Sequence, residues 1–253
     1  GGVPGILPVR YFAQILYINV TFLKKLTDKY CNQTRFVLKL KIEKKGIAQY
    51  IKEVIPMEKQ IIISVGREFG SGGHIVAANL AKHFGLPLLD SNILADIAKQ
   101  NNTSEDYLRK YDESARNYLF SRSVNGFSNS PEEIVAQMQF DYIKKKGDAG
   151  ESFVVIGRCA DWVLRENPAL VRIFILGDMD SKIQHTAERE NISPEKAKNR
   201  LEQADKRRKY FHNTHSDNKW GDSRSYDITV NSSKLGLDAT TELLVKYIEL
   251  NCK

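Results

Sequence analysis

The stretch Gly66-Arg-Glu-Phe-Gly-Ser-Gly-Gly-His74 combines residue types that bind phosphate groups. Four glycines fall within eight residues, between an apolar run at 61–65 and an amphipathic run at 75–85. A strand, a glycine loop and a helix in this order bind anions, because the loop N–H groups and the N-terminus of the helix point at the same place. The loop lacks the lysine of the standard phosphate loop, G-x-x-x-x-G-K-S/T, since Gly73 stands at that position. The pattern therefore predicts phosphate binding without the usual cation.

The loop is open to three interpretations. A turn without a ligand is disfavoured, because each glycine costs backbone entropy unless its conformation is needed. A dinucleotide fingerprint, G-x-G-x-x-G, matches Gly70 and Gly72, and Asp90 follows about 20 residues on, where an acid would bind ribose. The third glycine of that fingerprint is replaced by the β-branched Ile75, which argues against it. A mononucleotide loop matches Gly70-Ser71-Gly72 but lacks its lysine.

Alternating strand and helix patterns predict the elements that position the loop. We predict strands at 60–66, 87–90, 152–157, 171–176 and 226–231. Ser130 and Ser193 each precede a proline, which is typical of a helix start, and Ser91 is the expected cap of an earlier helix. Residues 121–130 are predicted to form a flexible loop, and 194–214 a charged helix that projects from the core. This alternation predicts an α/β fold with a parallel sheet covered on both faces.

The positive charge of the chain is confined to its N-terminal segment. Residues 1–56 contain ten Lys or Arg and three Asp or Glu, whereas 57–253 contain 28 of each class, so the net charge of +7 lies in the first segment. We therefore predict that the main domain has no nucleic-acid partner. Met57 is the first methionine, which favours a natural start there and an extension at 1–56. The alternative is a basic accessory segment with a strand at 34–42 and a helix at 47–55.

Cysteine usage and hydropathy predict the compartment. The three cysteines stand apart, at Cys31, Cys159 and Cys252. The lack of a C-x-x-C pair is typical of a reducing compartment. No run of 18 apolar residues occurs, and the apolar stretch 11–23 is too short to span a bilayer, so we predict a cytoplasmic protein without a membrane partner. His212 and His215 lie on a polar stretch that is expected to fray, and no metal site is predicted there.

Five stretches of the chain form a joint pattern. They are 66–73 (Gly-Arg-Glu-Phe-Gly-Ser-Gly-Gly), 87–90 (Pro-Leu-Leu-Asp), 155–162 (Val-Ile-Gly-Arg-Cys-Ala-Asp-Trp), 205–208 (Asp-Lys-Arg-Arg) and 219–222 (Lys-Trp-Gly-Asp). From Met57 to the C-terminus the chain resembles the cytidylate kinase-like family, relatives of the nucleoside monophosphate kinases. The resemblance implies a P-loop NTPase-type three-layer fold at 57–253, with a five-stranded parallel sheet, helices on both faces and a helical lid at about 193–222.

The resemblance implies that the loop binds the donor ATP together with Mg²⁺. The residues that it assigns to the donor site are Gly66, Arg67, Gly70, Ser71, Gly72, Gly73 and His74. The missing lysine matters because that cation neutralises the charge of the β- and γ-phosphates during transfer. Arg67 is the nearest replacement, and its alternative role is an ion pair with Glu68 or another acid.

The resemblance implies that residues at the strand ends and on the lid bind the acceptor. Arg158 matches the arginine of a Gly-Arg-Asp motif that grips the acceptor phosphate, and its alternative role is an ion pair at the end of the strand. Cys159 replaces the aspartate of that motif and is expected to be a small packed residue. Asp90 corresponds to an acid near the acceptor, or else caps the following helix. The implied lid residues are Asp205, which binds substrate, and the catalytic Arg207 and Arg208, with Arg200 one residue out of register. Lid arginines of this kind stabilise charge during transfer, and the alternative interpretation is that these arginines only form a solvent-exposed helix face.

Three functions follow from these patterns. The leading prediction is a kinase that transfers a phosphoryl group from a nucleoside triphosphate to a small acceptor, with CMP or dCMP as the first candidates. The missing lysine instead favours a nucleotide-binding regulatory module that has lost turnover. A dinucleotide-dependent oxidoreductase is the third, and NAD(P)H binding would support it. The sequence makes no prediction of the oligomeric state.

Overall fold

The computed structural model describes residues 60–112, 123–124, 127–128 and 130–251 of the chain. The segment 1–56, with its two predicted elements, lies outside the described residues, as do Cys31 and Cys252. The division of the chain at residue 57 therefore stays a prediction.

Five parallel strands form the central sheet. They are β1 (Ile62–Arg67), β2 (Leu88–Leu89), β5 (Phe153–Ile156), β6 (Leu170–Leu176) and β7 (Ile228–Asn231), in the order β2-β5-β1-β6-β7. Two further strands, β3 (Ser123–Val124) and β4 (Phe127–Ser128), pair antiparallel within the stretch that was predicted as a loop. The register places Ile62 of β1 opposite Phe153 of β5 and Leu170 of β6. All five predicted strands are confirmed, each end within two residues.

Nine α-helices are described around the sheet. They are α1 (Gly73–Phe84), α2 (Ile93–Gln100), α3 (Glu105–Tyr111), α4 (Pro131–Asp148), α5 (Ala160–Val163), α6 (Met179–Glu190), α7 (Pro194–His215), α8 (Ser232–Leu235) and α9 (Leu237–Asn251), with a 3₁₀ turn at Ser223–Ser225. Among these helices none combines the length and the hydrophobicity that crossing a bilayer requires. The cytoplasmic location remains a prediction.

The helix starts follow local capping chemistry. The hydroxyl groups of Ser130 and Ser193 each accept a hydrogen bond at 3.3 Å from the amide three residues on, which confirms both predicted caps. The cap predicted at Ser91 is wrong, because α2 begins after Asn92. The Asn92 side chain accepts a hydrogen bond from Asp90 N at 2.8 Å and so stabilises the turn that precedes the helix.

The sheet buries a hydrophobic core on each face. The first core contains Ile62, Phe153 and Val155 of the sheet with Ile93, Leu94, Ile97, Leu108, Val135 and Ile143 of α2, α3 and α4. The second contains Ile63, Val65, Val154, Ile156 and Ile173 of the sheet with Val76, Leu80, Leu244 and Ile248 of α1 and α9. Neighbouring residues of β1 thus face opposite helical layers, as the alternation of a strand requires. This arrangement confirms the predicted α/β fold of the P-loop NTPase type.

Helix α7 does not project from the core as predicted. Its buried small and apolar residues lie four, three and seven positions apart, so they share one face of the helix and form a buried stripe. The stripe consists of Ala197, Leu201, Ala204 and Phe211. Phe211 packs against Ala136 and Cys159, and α7 lies against α6. Few large side chains are needed here, because alanine lets the helix approach its neighbours closely.

Candidate active site

The sheet order places a crevice between the carboxyl ends of β1 and β5. After β1 the chain crosses to β2 on one side, and after β5 it crosses to β6 on the other. Ligands of parallel α/β sheets bind at this point, where the strand order reverses. The residues at and just past the two strand ends, Gly66 with Arg67 and Gly157 with Arg158, line the same cavity.

This cavity, called here the switch-point cavity, is small and rich in cations. Its volume is about 20 Å³, roughly the space of one water molecule. Its lining residues are Gly66, Arg67, Gly157, Arg158, Cys159, Asp161, Arg208, Phe211, His212, Trp220 and Tyr226. Three arginines from three segments of the chain reach this lining, against one aspartate. The arrangement suits an anionic ligand, because a guanidinium group binds carboxylate or phosphate with two parallel hydrogen bonds.

The loop glycines are held by close neighbours. Gly70 and Gly72 have left-handed backbone angles, with φ of +77° and +72°. A Cβ at Gly70 would lie 2.9 Å from Leu201 Cδ2 of α7, and a Cβ at Gly72 would overlap Leu237 Cδ2 of α9. A Cβ at Gly73 would be equally crowded. Tight contacts thus account for these glycines, so their number does not by itself indicate a ligand.

The N–H groups at the start of α1 are the donors that the loop offers to an anion. The first backbone bond of α1 runs from Val76 N to Gly72 O at 3.1 Å. The amides of residues 73–75 precede it, in the first turn, where a helix has no acceptor of its own. Within the loop, Phe69 N donates to Asp205 Oδ1 at 2.6 Å. The loop therefore already holds one carboxylate of this chain, and the helix dipole adds to its preference for anions.

A lysine that the sequence pattern did not reveal lies beside the loop. Lys182 of α6 donates to Glu68 Oε2 at 2.7 Å, lies 3.9 Å from Asp205 Oδ2, and has a side chain that is only 4% exposed. Burial raises the pKa of Asp205, and the hydrogen bond from Phe69 N and the charges of Lys182 and Arg208 oppose this effect. The loop thus has a buried cation at its side, although the cation comes from a helix more than 100 residues away in the sequence.

Arg158 stands in a strained turn and in an ion pair. Gly157, Arg158 and Cys159 all have left-handed angles, with φ of +68°, +57° and +50°. Each such non-glycine residue costs on the order of 1–3 kcal/mol, and such strain is frequent at functional sites. Arg158 Nη1 donates to Asp112 Oδ1 at 2.7 Å, and the two side chains are 5% and 17% exposed. The alternative strand-end ion pair is therefore present, while the acceptor clamp stays a prediction. Cys159 is buried and packed as expected.

Asp90 and His74 lie together at the exposed side of the loop. His74 Nε2 is 3.1 Å from Asp90 Oδ2, and the His74 side chain is 61% exposed. The helix cap proposed as the alternative for Asp90 belongs to Asn92 instead. The structure therefore brings the predicted acceptor-side acid to His74, which stands at the Ser or Thr position of the pattern G-x-x-x-x-G-K-S/T, the position that binds magnesium in standard phosphate loops.

The four residues predicted to act in a lid differ in their contacts. Arg208 reaches the loop, since its Nη1 donates to Arg67 O at 3.3 Å. Asp205, predicted to bind substrate, holds the loop amide described above. Arg200 pairs with Glu190 at 2.9 Å. Arg207, predicted to be catalytic, is exposed on α7 and does not line the switch-point cavity.

One residue at the C-terminal end of α7 is buried, and one that follows the helix is half-buried. Trp220 packs edge-on against Phe174 with ring centroids 5.2 Å apart, which anchors the segment that returns from α7 to the core. His212 lies 2.8 Å from Asp161, and both residues are 5% exposed. The expectation of a fraying stretch is wrong, because α7 continues to His215, which bonds to Glu133. Sequence reasoning missed the Asp161–His212 pair, since its members are 51 residues apart.

Comparison with known proteins identifies the family of the chain. The model of the cytidylate kinase-like family matches residues 62–234, more than half of the sequence. The structure of an uncharacterized protein from Eubacterium ventriosum is 38% identical, with a TM-score of 0.60 over 75% of this chain and 99% of that one. Shikimate kinase from Acinetobacter baumannii is 13% identical, with a TM-score of 0.45 over 77% and 96% of the two chains. No curated protein matches the sequence significantly. The chain belongs to the cytidylate kinase-like family.

Proposed function

We propose that the protein is an ATP-dependent phosphotransferase that acts on a small acceptor. The triphosphate binds at the loop between β1 and α1, and the acceptor binds in the switch-point cavity. The observation that carries the proposal is the convergence of Arg67, Arg158 and Arg208 at the crevice where the strand order reverses. Membership of a kinase-like family supports phosphoryl transfer as the chemistry.

The residues present fit a triphosphate with Mg²⁺. The amides of residues 73–75 lie at a helix N-terminus, and Lys182 and Arg67 supply positive charge near the loop. Magnesium prefers oxygen ligands, so Asp90 is the protein residue proposed to hold it, rather than the imidazole of His74. The ion, when bound, neutralises charge on the β- and γ-phosphates. The chain itself supplies positioning and charge, without a covalent intermediate.

The acceptor requires movement of the lid helix. A cavity of about 20 Å³ admits little more than water, so we propose that α7 swings outward to admit the acceptor. The contacts that this motion breaks are those of Asp205 with Phe69 N and of Arg208 with Arg67 O. Arg158 is proposed as the acceptor clamp. The family resemblance names CMP and dCMP as the first acceptors to try, followed by small alcohols.

A regulatory module without turnover is the second candidate. Glu68 forms an ion pair with Lys182, and Asp205 accepts a hydrogen bond from a loop amide. Side chains of this chain therefore already neutralise part of the positive charge that the loop would offer to a triphosphate. Calorimetric affinity for ATP with Mg²⁺, combined with turnover over a panel of nucleoside monophosphates and small alcohols, separates the two candidates. Tight binding with no turnover of any acceptor favours the regulatory module.

A pair of variants at His74 tests the loop as the donor site. His74→Pro removes one first-turn amide, because proline has no backbone N–H, whereas His74→Ala keeps the amide and removes the exposed imidazole. A charge-assisted hydrogen bond contributes roughly 1.5–3 kcal/mol, so the Kd for ATP should rise about 10-fold or more in His74→Pro. It should stay within about threefold in His74→Ala. Equal affinities in the two folded variants contradict the donor site.

A further inference from the structure

The buried pair formed by Asp161 and His212 has no part in the transfer described so far. His212 Nε2 lies 2.8 Å from Asp161 Oδ2, and the side chains are 6% and 7% exposed. The residues come from α7 and α5, and both line the switch-point cavity. Burying polar groups is unfavourable where an apolar pair would serve for packing. The pair therefore calls for a functional explanation.

The chemistry of the pair determines where the imidazole proton lies. An ionised carboxylate only accepts hydrogen bonds, so Nε2 of the neutral ring carries the proton and Nδ1 carries the lone pair. His212 Nδ1 is buried, and no described residue makes a hydrogen bond to it. A buried nitrogen of this kind needs a partner. The cavity that His212 lines has room for a small partner of about the size of a water molecule.

We propose that His212 Nδ1 is the base that takes the proton of an acceptor hydroxyl, and that Asp161 positions the ring. The inference rests on the proposed function. The acceptor O–H bond breaks as its proton passes to Nδ1, and the acceptor oxygen forms a bond to the γ-phosphorus. The bond from the γ-phosphorus to the bridging oxygen breaks, and ADP leaves with that electron pair. Asp161 stabilises the imidazolium, which then returns its proton to water.

The presence of a base indicates which chemical class of acceptor the site can use. A phosphate monoester offers oxygens that are already ionised near neutral pH and needs no base, whereas an alcohol hydroxyl does. The same cavity is lined by Arg67, Arg158 and Arg208, which suit an anionic group. The acceptor is therefore a small hydroxyl compound that carries a carboxylate or a phosphate.

The test compares the full-length wild type with His212→Gln and with His215→Gln. His212→Gln keeps a donor towards Asp161 but has no basic nitrogen. His215→Gln is the matched control, since His215 lies on the same helix, bonds to Glu133 at 3.3 Å and does not line the cavity. ATP affinity is measured by calorimetry. Turnover is measured with CMP, dCMP, hydroxy acids and phosphorylated alcohols, and with water as the acceptor in ATP hydrolysis.

The expected result is a selective loss of turnover. ATP affinity stays unchanged in both variants, while kcat falls about 100-fold or more in His212→Gln and not in His215→Gln. Asp161→Asn reverses the tautomer and lowers kcat with the ring still in place.

Several outcomes overturn the inference. A kcat of His212→Gln within about twofold of the wild type, or conversion of CMP to CDP without turnover of any hydroxy acid or phosphorylated alcohol, overturns it and leaves the kinase function standing. Absence of ATP binding to the wild type overturns the kinase function as well. If no panel compound is turned over, ATP hydrolysis in the variants gives the same comparison. If the variants do not fold, ¹⁵N NMR of the wild type decides: a proton on His212 Nε2 supports the inference, and one on Nδ1 contradicts it.

Discussion

Arg158 is best tested by comparing two variants that break the same ion pair. Arg158→Ala and Asp112→Ala each remove the contact of 2.7 Å between Nη1 and Oδ1. Only Arg158→Ala also removes a cation from the switch-point cavity. A structural role for Arg158 predicts equal effects of the two variants on activity, whereas an acceptor clamp predicts different ones.

The magnitudes follow from burial. Loss of one partner of a buried pair costs about 3–5 kcal/mol, and the 17% exposure of Asp112 places this pair at the lower end. For a domain of this size about 3 kcal/mol lowers Tm by roughly 6–12 °C, and we expect a similar fall in both variants. The guanidinium should add roughly 1.5–3 kcal/mol to acceptor binding. In Arg158→Ala kcat/KM for the acceptor should therefore fall about 10- to 150-fold beyond the value for Asp112→Ala.

The assay is turnover with the acceptor that the panel identifies, below the lower melting temperature, together with ATP affinity. Arg158→Lys serves as a third variant, because it keeps the charge but loses the two-pronged geometry. Equal loss of turnover in Arg158→Ala and Asp112→Ala refutes the clamp and leaves Arg158 a structural residue. Loss of ATP affinity in folded Arg158→Ala places the residue on the donor side instead.

Three further predictions concern the remainder of the chain. Removal of 1–56 should leave Tm and ATP affinity unchanged, because the basic charge is separate from a neutral domain; an insoluble 57–253 fragment contradicts this. Gly72→Ala should lower Tm more than Gly85→Ala, since both have positive φ but only a Cβ at Gly72 meets a neighbour, Leu237; equal melting would show that crowding is absent. Burial raises the pKa of Asp205, so the stability that its carboxyl group contributes is lost as the pH rises through the folded-state pKa. Above pH 3.8, the ordinary pKa of an aspartate, the free energy of unfolding of Asp205→Asn should therefore increase relative to that of the wild type. Urea unfolding at several pH values checks this sign, and a constant difference rejects it.

The sequence by itself determined the elements and their order. Apolar runs predicted all five strands, and the Ser-Pro signals predicted the starts of α4 and α7, because strand burial and helix capping depend on residues within a few positions of each other. The glycine loop and the strand-end Gly157-Arg158 were likewise visible, since the carboxyl ends of parallel strands must share one edge of the sheet. The prediction of a helix cap at Ser91 was wrong, because two neighbouring polar residues could occupy the cap position and the geometry of the turn places Asn92 there.

The tertiary structure decided which side chains meet at the crevice. Lys182 pairs with Glu68 across 114 residues, Arg158 pairs with Asp112 across 46, and His212 pairs with Asp161 across 51. No local pattern distinguishes these residues from others on charged helices, since their burial depends on how α3, α5, α6 and α7 approach the sheet. The requirement for glycine at position 72 also depends on the tertiary structure, because the residue that leaves no room for a side chain there is Leu237 on the last helix. Charge and glycine spacing predict that an anion can bind, but the surroundings of each buried ionisable group depend on the fold.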